Sequence, residues 1–73
     1  MKAISKEELK KLKTKYKIGT RVKLLKMNDI QAPEIGTLGT VRAVDDIGTV
    51  FVRWDNGLGL GVVYGQDECH ILD

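Results

Sequence analysis

The chain has 73 residues and a mass of 8.1 kDa, which allows a single domain with a small apolar core. Its net charge is only +2, and Cys69 is its one cysteine, which excludes an intrachain disulfide and leads us to expect a reducing, cytoplasmic environment. Because the sequence has no apolar run typical of a signal peptide or a membrane span, we expect a soluble protein without membrane attachment.

Charge is unevenly distributed along the chain. Residues 1–26 carry ten Lys or Arg against two acidic residues, a net charge of +8, whereas residues 27–73 carry two Arg against eight acidic residues, a net charge of −6. A basic end is typical of proteins that bind nucleic acid or another polyanion. A basic helix that packs on an acidic domain gives the same pattern, so both interpretations stay open.

The first residues predict a short amphipathic helix. Ser5 and Glu8 have the spacing of a capping box, so the helix is predicted to begin at Lys6, and Gly19 is predicted to end it. Its apolar positions recur at helical spacing: Leu9, Leu12 and Tyr16.

This predicted helix is too short to be stable alone. About ten helical residues are marginal in water, so we expect the helix to pack on the rest of the chain, to pack on a second chain, or to fray. Residues 1–18 are accordingly assigned to a basic N-terminal helix, and residues 19–73 to a β domain.

Alternation of apolar and polar residues predicts five short strands, at residues 20–26, 36–45, 49–54, 58–64 and 68–72. In the third strand Val50, Val52 and Trp54 share one face and are the predicted core. Asn56-Gly57 then predicts a type I′ hairpin turn, and the glycines of the second strand predict a bend or bulge. The fold class is therefore mainly β: a small, closed or nearly closed five-stranded barrel preceded by a short amphipathic helix.

Residues 27–36 have no sustained period and contain the only proline, which predicts a long loop. Long loops in compact domains are often functional. The candidate protein-binding residues are four members of this loop and two aromatic residues outside it: Asp29, Gln31, Pro33, Glu34, Phe51 and Tyr64. Burial of the two aromatic side chains under the helix is the alternative, and a free sheet edge is a second candidate surface for strand addition.

The blocks Gly36-Thr37-Leu38-Gly39-Thr40-Val41 and Val52-Arg53-Trp54-Asp55-Asn56-Gly57 resemble the pattern of SH3-like barrels. Together with residues 19–24, 29–33 and 62–65, they resemble the domain-of-unknown-function family 4314, small proteins of bacteria, phages and mobile elements. The resemblance implies an SH3-like barrel and no established activity. The two blocks are also similar to barrel domains of mind-bomb and HERC-type ubiquitin ligases and to KOW modules, which implies peptide binding and nucleic-acid contact respectively.

We find no residue pattern that predicts catalysis. Cys69 and His70 are adjacent in a predicted strand, so their side chains point to opposite faces and cannot form a nucleophilic pair or hold one metal ion together. Adjacent Asp45 and Asp46 are typical of a turn. We therefore expect a protein that is not an enzyme, with no metal, no cofactor and no small-molecule substrate.

Two functions remain as hypotheses. The favoured one is a protein-interaction or assembly module with a partner of unknown identity, and a core this small leaves homodimerisation open. The alternative is a nucleic-acid-binding module that uses the basic residues of the helix and first strand: Lys10, Lys13, Lys17, Arg21, Lys23 and Lys26.

Overall fold

The computed structural model describes residues 4–72, which fold as one helix followed by five strands. The elements are α1 (Lys6–Lys15), β1 (Arg21–Lys26), β2 (Leu38–Val44), β3 (Thr49–Trp54), β4 (Gly61–Val63) and β5 (Glu68–Ile71). All strand pairs are antiparallel and form one sheet in the order β4-β3-β2-β1-β5. The prediction of a mainly β fold with five strands and a short N-terminal helix is confirmed.

The sheet is not closed into a barrel, so of the two predicted forms, closed and nearly closed, the closed form is wrong. β4 and β5 are its outer strands, and no ladder of backbone hydrogen bonds joins them within residues 4–72. β4 has three residues, and the backbone groups of its last residue are already bonded to Asp67: the Val63 amide donates to the Asp67 carboxylate, and the Val63 carbonyl accepts from the Asp67 amide. We call the gap between β4 and β5 the seam.

The core lies on the inner face of the sheet. The alternation of β1 and β3 is confirmed, because the inward residues are buried and their neighbours are more exposed. Trp54 is the largest fully buried side chain, and its indole Nε1 donates to the Leu60 carbonyl at 2.9 Å. The buried apolar residues are Tyr16, Val22, Leu24, Val41, Val50, Val52, Trp54 and Val62.

The helix begins as predicted but ends early. The Ser5 hydroxyl accepts from the Glu8 amide at 3.1 Å and the Glu8 carboxylate accepts from the Ser5 amide at 3.4 Å, which confirms the capping box. The last helical residue is Lys15, so the prediction that Gly19 ends the helix is wrong. Tyr16 leaves helical geometry with φ −105° and ψ 70° and is buried in the core, while Gly19 takes a positive φ in a separate turn before β1.

The β3–β4 connection is longer than the predicted two-residue hairpin. No residue other than glycine has a positive φ in the described chain, so Asn56 does not adopt the type I′ geometry that requires two such residues. The Gly57 amide instead donates to the Trp54 carbonyl at 2.9 Å, and β4 begins only at Gly61. The prediction of a type I′ turn followed at once by a strand is therefore wrong.

β2 bends at a β-bulge, as its glycines led us to expect, but at a different residue. The register with β3 shifts between Val41 and Ala43, which makes Arg42 the extra residue. Gly39 has another function: a side chain there would place Cβ 2.5 Å from Val52 Cγ1 and 2.7 Å from Trp54 Cε3. Glycine at this position therefore allows the core of β3 to pack against the β2 backbone.

The helix packs beside the seam through few contacts. Leu12 and Tyr16 pack against the core, and the Lys13 Nζ is 2.7 Å from the Asp46 carboxylate. The Tyr64 hydroxyl donates to the Glu8 carboxylate. These contacts agree with a helix that is held by the sheet rather than stable alone. Within residues 4–72, we find no helix of the length and apolarity that crossing a membrane requires.

Candidate functional site

The β1–β2 loop is ordered by its own polar residues. The Asp29 carboxylate accepts from the Gln31 amide at 2.8 Å, and the Asp29 carbonyl accepts from the Ala32 amide at 3.0 Å. Pro33 is buried, so of the loop residues predicted from the sequence to bind a partner it is the one without an exposed side chain. Asp29, Gln31 and Glu34 are exposed.

Large aliphatic side chains at this end of the sheet are exposed to solvent. Ile30 is 101% exposed and Ile35 is 62% exposed, and both belong to the loop. Leu25, near the end of β1, and Leu38, at the start of β2, are also exposed. We call Leu25, Ile30, Ile35 and Leu38 the aliphatic surface.

Backbone hydrogen bonds bring the two flanks of the loop together. The Leu24 amide donates to the Thr37 carbonyl at 2.9 Å, and the Gly36 amide donates to the Leu24 carbonyl at 2.8 Å. Leu38 pairs with Lys23 in the β1–β2 ladder. Residues 23–25 and 35–38 are therefore side by side, which places Leu25, Ile35 and Leu38 at one end of the sheet with the loop between them.

Phe51 and Tyr64 lie in two other places. Phe51 is 41% exposed on the outer face of β3, where its register partners are Ala43 and Gly61. It does not lie under the helix. Tyr64 is also partly exposed but contacts the helix through Glu8, and this hydrogen bond raises the pKa of its phenol. The six candidate protein-binding residues thus do not form one surface.

Two of the six predicted nucleic-acid-binding residues are in ion pairs. Lys13 contacts Asp46, and the Arg21 guanidinium makes two bonds to the Asp55 carboxylate at 2.8 and 2.6 Å. These hydrogen bonds hold the pKa of Asp46 and of Asp55 below the usual range.

The other four are dispersed over three places. Lys10 and Lys17 lie along one side of the helix and its C-terminal extension, Lys23 lies on the outer face of β1, and Lys26 lies near the seam opposite Glu68. The six residues therefore do not form a continuous basic surface.

The seam contains an open pocket of about 280 Å³ lined by residues of the helix and of both outer strands. Tyr16 and Cys69 both line this pocket. Burial, and to a smaller extent the nearby Cys69, raises the pKa of Tyr16 to about 12. Burial also raises the pKa of the Cys69 thiol, against the smaller lowering effects of Tyr16 and Lys15, so a reactive thiolate is disfavoured.

The side chains of the other residues considered for catalysis or metal binding do not come together in one site. His70 is exposed on β5 and Cys69 is half-buried on its inner side. The Asp45 carboxylate accepts from the amides of Ile47 and Thr49, which accounts for it as a turn residue. Among residues 4–72 no group of three or more His, Cys, Asp or Glu side chains is arranged to hold a metal ion.

The sequence reasoning overlooked the four members of the aliphatic surface. It named the polar residues of the loop, whereas the exposed fraction of each side chain shows that Ile30 and Ile35 are the large apolar residues open to solvent there. One signal was available: two isoleucines in a loop without any strand or helix period have no inward face to occupy.

Comparison with known proteins gives a family but no characterised relative. A family model described as a domain of unknown function (DUF4314) matches residues 5–72. No curated protein and no solved structure matches the chain.

Proposed function

The chain belongs to this family of domains of unknown function, DUF4314, and we propose that it is a non-enzymatic module that binds another protein through the aliphatic surface. The observation that carries the proposal is the complete exposure of Ile30 in a loop where Ile35 is also mostly exposed. Soluble monomers expose single apolar side chains at random, but a group of large aliphatic residues at one end of a domain is typical of an interaction site.

The order of the loop supports this proposal. The Asp29 carboxylate and carbonyl bond the amides of Gln31 and Ala32, and the Glu34 carbonyl accepts from the Thr37 amide at 3.0 Å and from its hydroxyl at 2.6 Å. A loop held in this way presents its aliphatic side chains with less conformational freedom left to lose on binding.

Charge and shape indicate the kind of partner. Ile30 and Ile35 project from the loop, and Asp29 and Glu34 beside them add two negative charges. The complementary surface is an apolar cleft with basic residues at its rim. We therefore propose a partner protein of different sequence, and a second copy of this chain, whose helix carries Leu9 among several lysines, is the other occupant that the experiment below distinguishes.

Pairing of a partner strand with the edge of β4 is less favourable than binding through the aliphatic surface. The backbone amide and carbonyl of Val63 that face away from β3 are already bonded to Asp67. A partner strand would have to displace both bonds before pairing there.

We also propose an origin and a cellular compartment for the protein, on the basis of its sequence. The resemblance points to a bacterial, phage or mobile-element protein, and we propose that it acts in the cytoplasm, where a free Cys69 would stay reduced.

Quantitative co-purification from the source cell tests the proposal with matched variants. Ile30→Asp removes the fully exposed aliphatic side chain, and Ile47→Asp makes the same change at a residue that is 77% exposed in another turn. A protein recovered in constant ratio to the wild-type chain should be lost with Ile30→Asp and retained with Ile47→Asp. Equal recovery with both variants, or self-association alone, would contradict the proposal.

A further inference from the structure

A separate basic surface is present on the outer face of the sheet. Acidic residues dominate the sequence after residue 26, but the fold places nearly all of those described in loops and turns: Asp29, Glu34, Asp45, Asp46, Asp55 and Asp67. Within residues 4–72, Glu68 is the one acidic residue in a strand, at the edge of the sheet. The other charged residues of the strands are basic. The outer face of the sheet is therefore positive, although residues 27–73 have a negative net charge.

Two arginines of this face have exposed side chains without an ion pair. Arg42 is at the bulge of β2 and Arg53 points outward from β3, and neither has a carboxylate partner among residues 4–72. The nearest candidate by sequence, Asp55, is already bonded on both carboxylate oxygens by Arg21. The two guanidinium groups are therefore available to an anion from outside the chain.

Arg42 and Arg53 line one open hollow of about 340 Å³ with the ring of Phe51. Gly57 and Gly59 of the β3–β4 connection form another side, and a Cβ at either glycine would meet no atom within 4 Å. No acidic residue lines the hollow. Access to the ring from solvent is thus open, and the charge along its border is entirely positive.

The neighbours of Phe51 explain why its ring is available. Its register partners on the flanking strands, Ala43 and Gly61, have small side chains or none. A Cβ at Gly61 would lie 3.5 Å from Phe51 Cδ1 and 2.5 Å from Thr49 Cγ2, so glycine there leaves room beside the ring. Phe51 remains 41% exposed.

An aromatic ring that shares a hollow with two guanidinium groups without ion pairs matches the chemistry of a nucleotide. A base can stack on the phenyl ring, and the adjoining phosphates can accept bidentate hydrogen bonds from arginine. An acidic peptide would satisfy the arginines but would leave the exposed ring without a planar partner. We infer that the hollow formed by Arg42, Phe51 and Arg53 binds a nucleotide of single-stranded nucleic acid.

This site differs from the basic residues of the helix and first strand that the sequence suggested. It lies on β2 and β3, within the part of the chain whose net charge is −6. It also does not depend on the aliphatic surface, so failure of one proposal leaves the other standing.

Fluorescence anisotropy with labelled oligonucleotides tests the inference on the full chain. We expect a 12-nucleotide single strand to bind at low salt, a duplex of the same sequence to bind more weakly, and a mononucleotide to compete only weakly. Affinity should fall as salt rises, because phosphate contacts release counterions. Stronger binding of the mononucleotide than of the single strand would identify a small-molecule site and overturn the inference for nucleic acid.

Variants of the hollow separate stacking from charge. Arg42→Gln with Arg53→Gln should weaken single-strand binding about tenfold and flatten its salt dependence. Phe51→Leu should weaken binding about fivefold without changing that dependence, since stacking involves no counterion. The matched control, Lys10→Gln with Lys17→Gln, removes two charges from the helix and should change affinity less than twofold.

Three outcomes would overturn the inference: no binding at low salt, an equal loss with the helix control, or a loss with the arginine variant and none with Phe51→Leu. The last would show a nonspecific polyanion surface. Amide chemical shifts of the unmodified chain provide a measurement independent of any variant. On titration with the single strand, the Gly57, Gly59 and Arg53 signals should move and the Lys10 signal should not.

Discussion

The Asp67 carboxylate accepts a hydrogen bond from the Val63 amide at 3.0 Å, while the Asp67 amide donates to the Val63 carbonyl at 2.9 Å. One turn residue thus bonds the side of β4 on which β5 would pair in a closed sheet. This pair accounts for the open seam, and it occupies the Val63 amide and carbonyl of a three-residue edge strand.

Replacing Asp67 tests this capping of the edge. Asp67→Ala leaves the half-buried Val63 amide without its acceptor, and we expect the free energy of unfolding to fall by about 1 kcal/mol. Asp67→Asn keeps an acceptor oxygen and should retain most of the stability. Urea denaturation measures both, and an alanine variant as stable as the asparagine variant would contradict the assigned contact.

Tyr16 is expected to anchor the helix segment to the sheet. Its ring is buried in the core, so Tyr16→Ala should lower the free energy of unfolding by about 3 kcal/mol or more through the cavity it leaves. Tyr16→Phe keeps the buried ring and removes only the hydroxyl near Cys69, so it should cost much less stability than Tyr16→Ala. Lys13→Ala, which breaks the exposed contact with Asp46, should have little effect in the same urea titrations. A large loss with Lys13→Ala and none with Tyr16→Ala would show that the ion pair holds the helix instead.

Stability should also decrease at high pH because of Tyr16. Its pKa is about 12 in the folded chain against 10.0 for an unperturbed tyrosine, so the folded state favours the neutral phenol. The resulting stability is complete below pH 10 and is lost as the pH rises towards 12. The pKa of Tyr64 is raised as well, so ultraviolet titration of tyrosinate is made in a Tyr64→Phe background, where it should show one late ionisation that the further change Tyr16→Phe abolishes. Ionisation of Tyr16 near pH 10 in the folded protein would contradict its burial.

Two glycines of the sheet region should respond oppositely to alanine. At Gly39 the new Cβ would meet the buried side chains of Val52 and Trp54, so Gly39→Ala should destabilise the fold by about 1–3 kcal/mol. Gly59 faces open space and has no positive φ, so Gly59→Ala should be neutral or stabilising by up to about 1 kcal/mol. Thermal unfolding monitored through Trp54 distinguishes them, and equal melting temperatures would contradict the close packing at Gly39.

The local parts of the fold were predictable because they depend on neighbours in sequence. The capping box of Ser5 and Glu8 is a contact over three residues, and the burial of Val50, Val52 and Trp54 follows from strand alternation. The open seam was not predictable, because it depends on the length of β4 and on a turn carboxylate, and neither has a periodic signal.

The candidate surfaces were less predictable because they combine residues that are distant in sequence. The net charge of residues 27–73 is negative, yet it gives no information on which residues lie in turns and which face outward from strands. The bulge that places Arg42 beside Phe51 and Arg53 depends on the pairing of β2 with β3. The loop itself was predicted, but its function was assigned to polar residues although Ile30 is more exposed than any other large apolar residue described.

Site-specific photo-cross-linking in the source cell tests the proposed protein-binding function most directly. A photoreactive residue in place of Ile30 should form one predominant adduct with a protein of different sequence, and the same residue in place of the exposed Ile47 should not form it. Ile35→Asp, introduced together with the probe at position 30, should abolish the adduct because it disrupts the same surface. Equal adducts from positions 30 and 47, or an adduct only between two copies of this chain, would contradict the proposal.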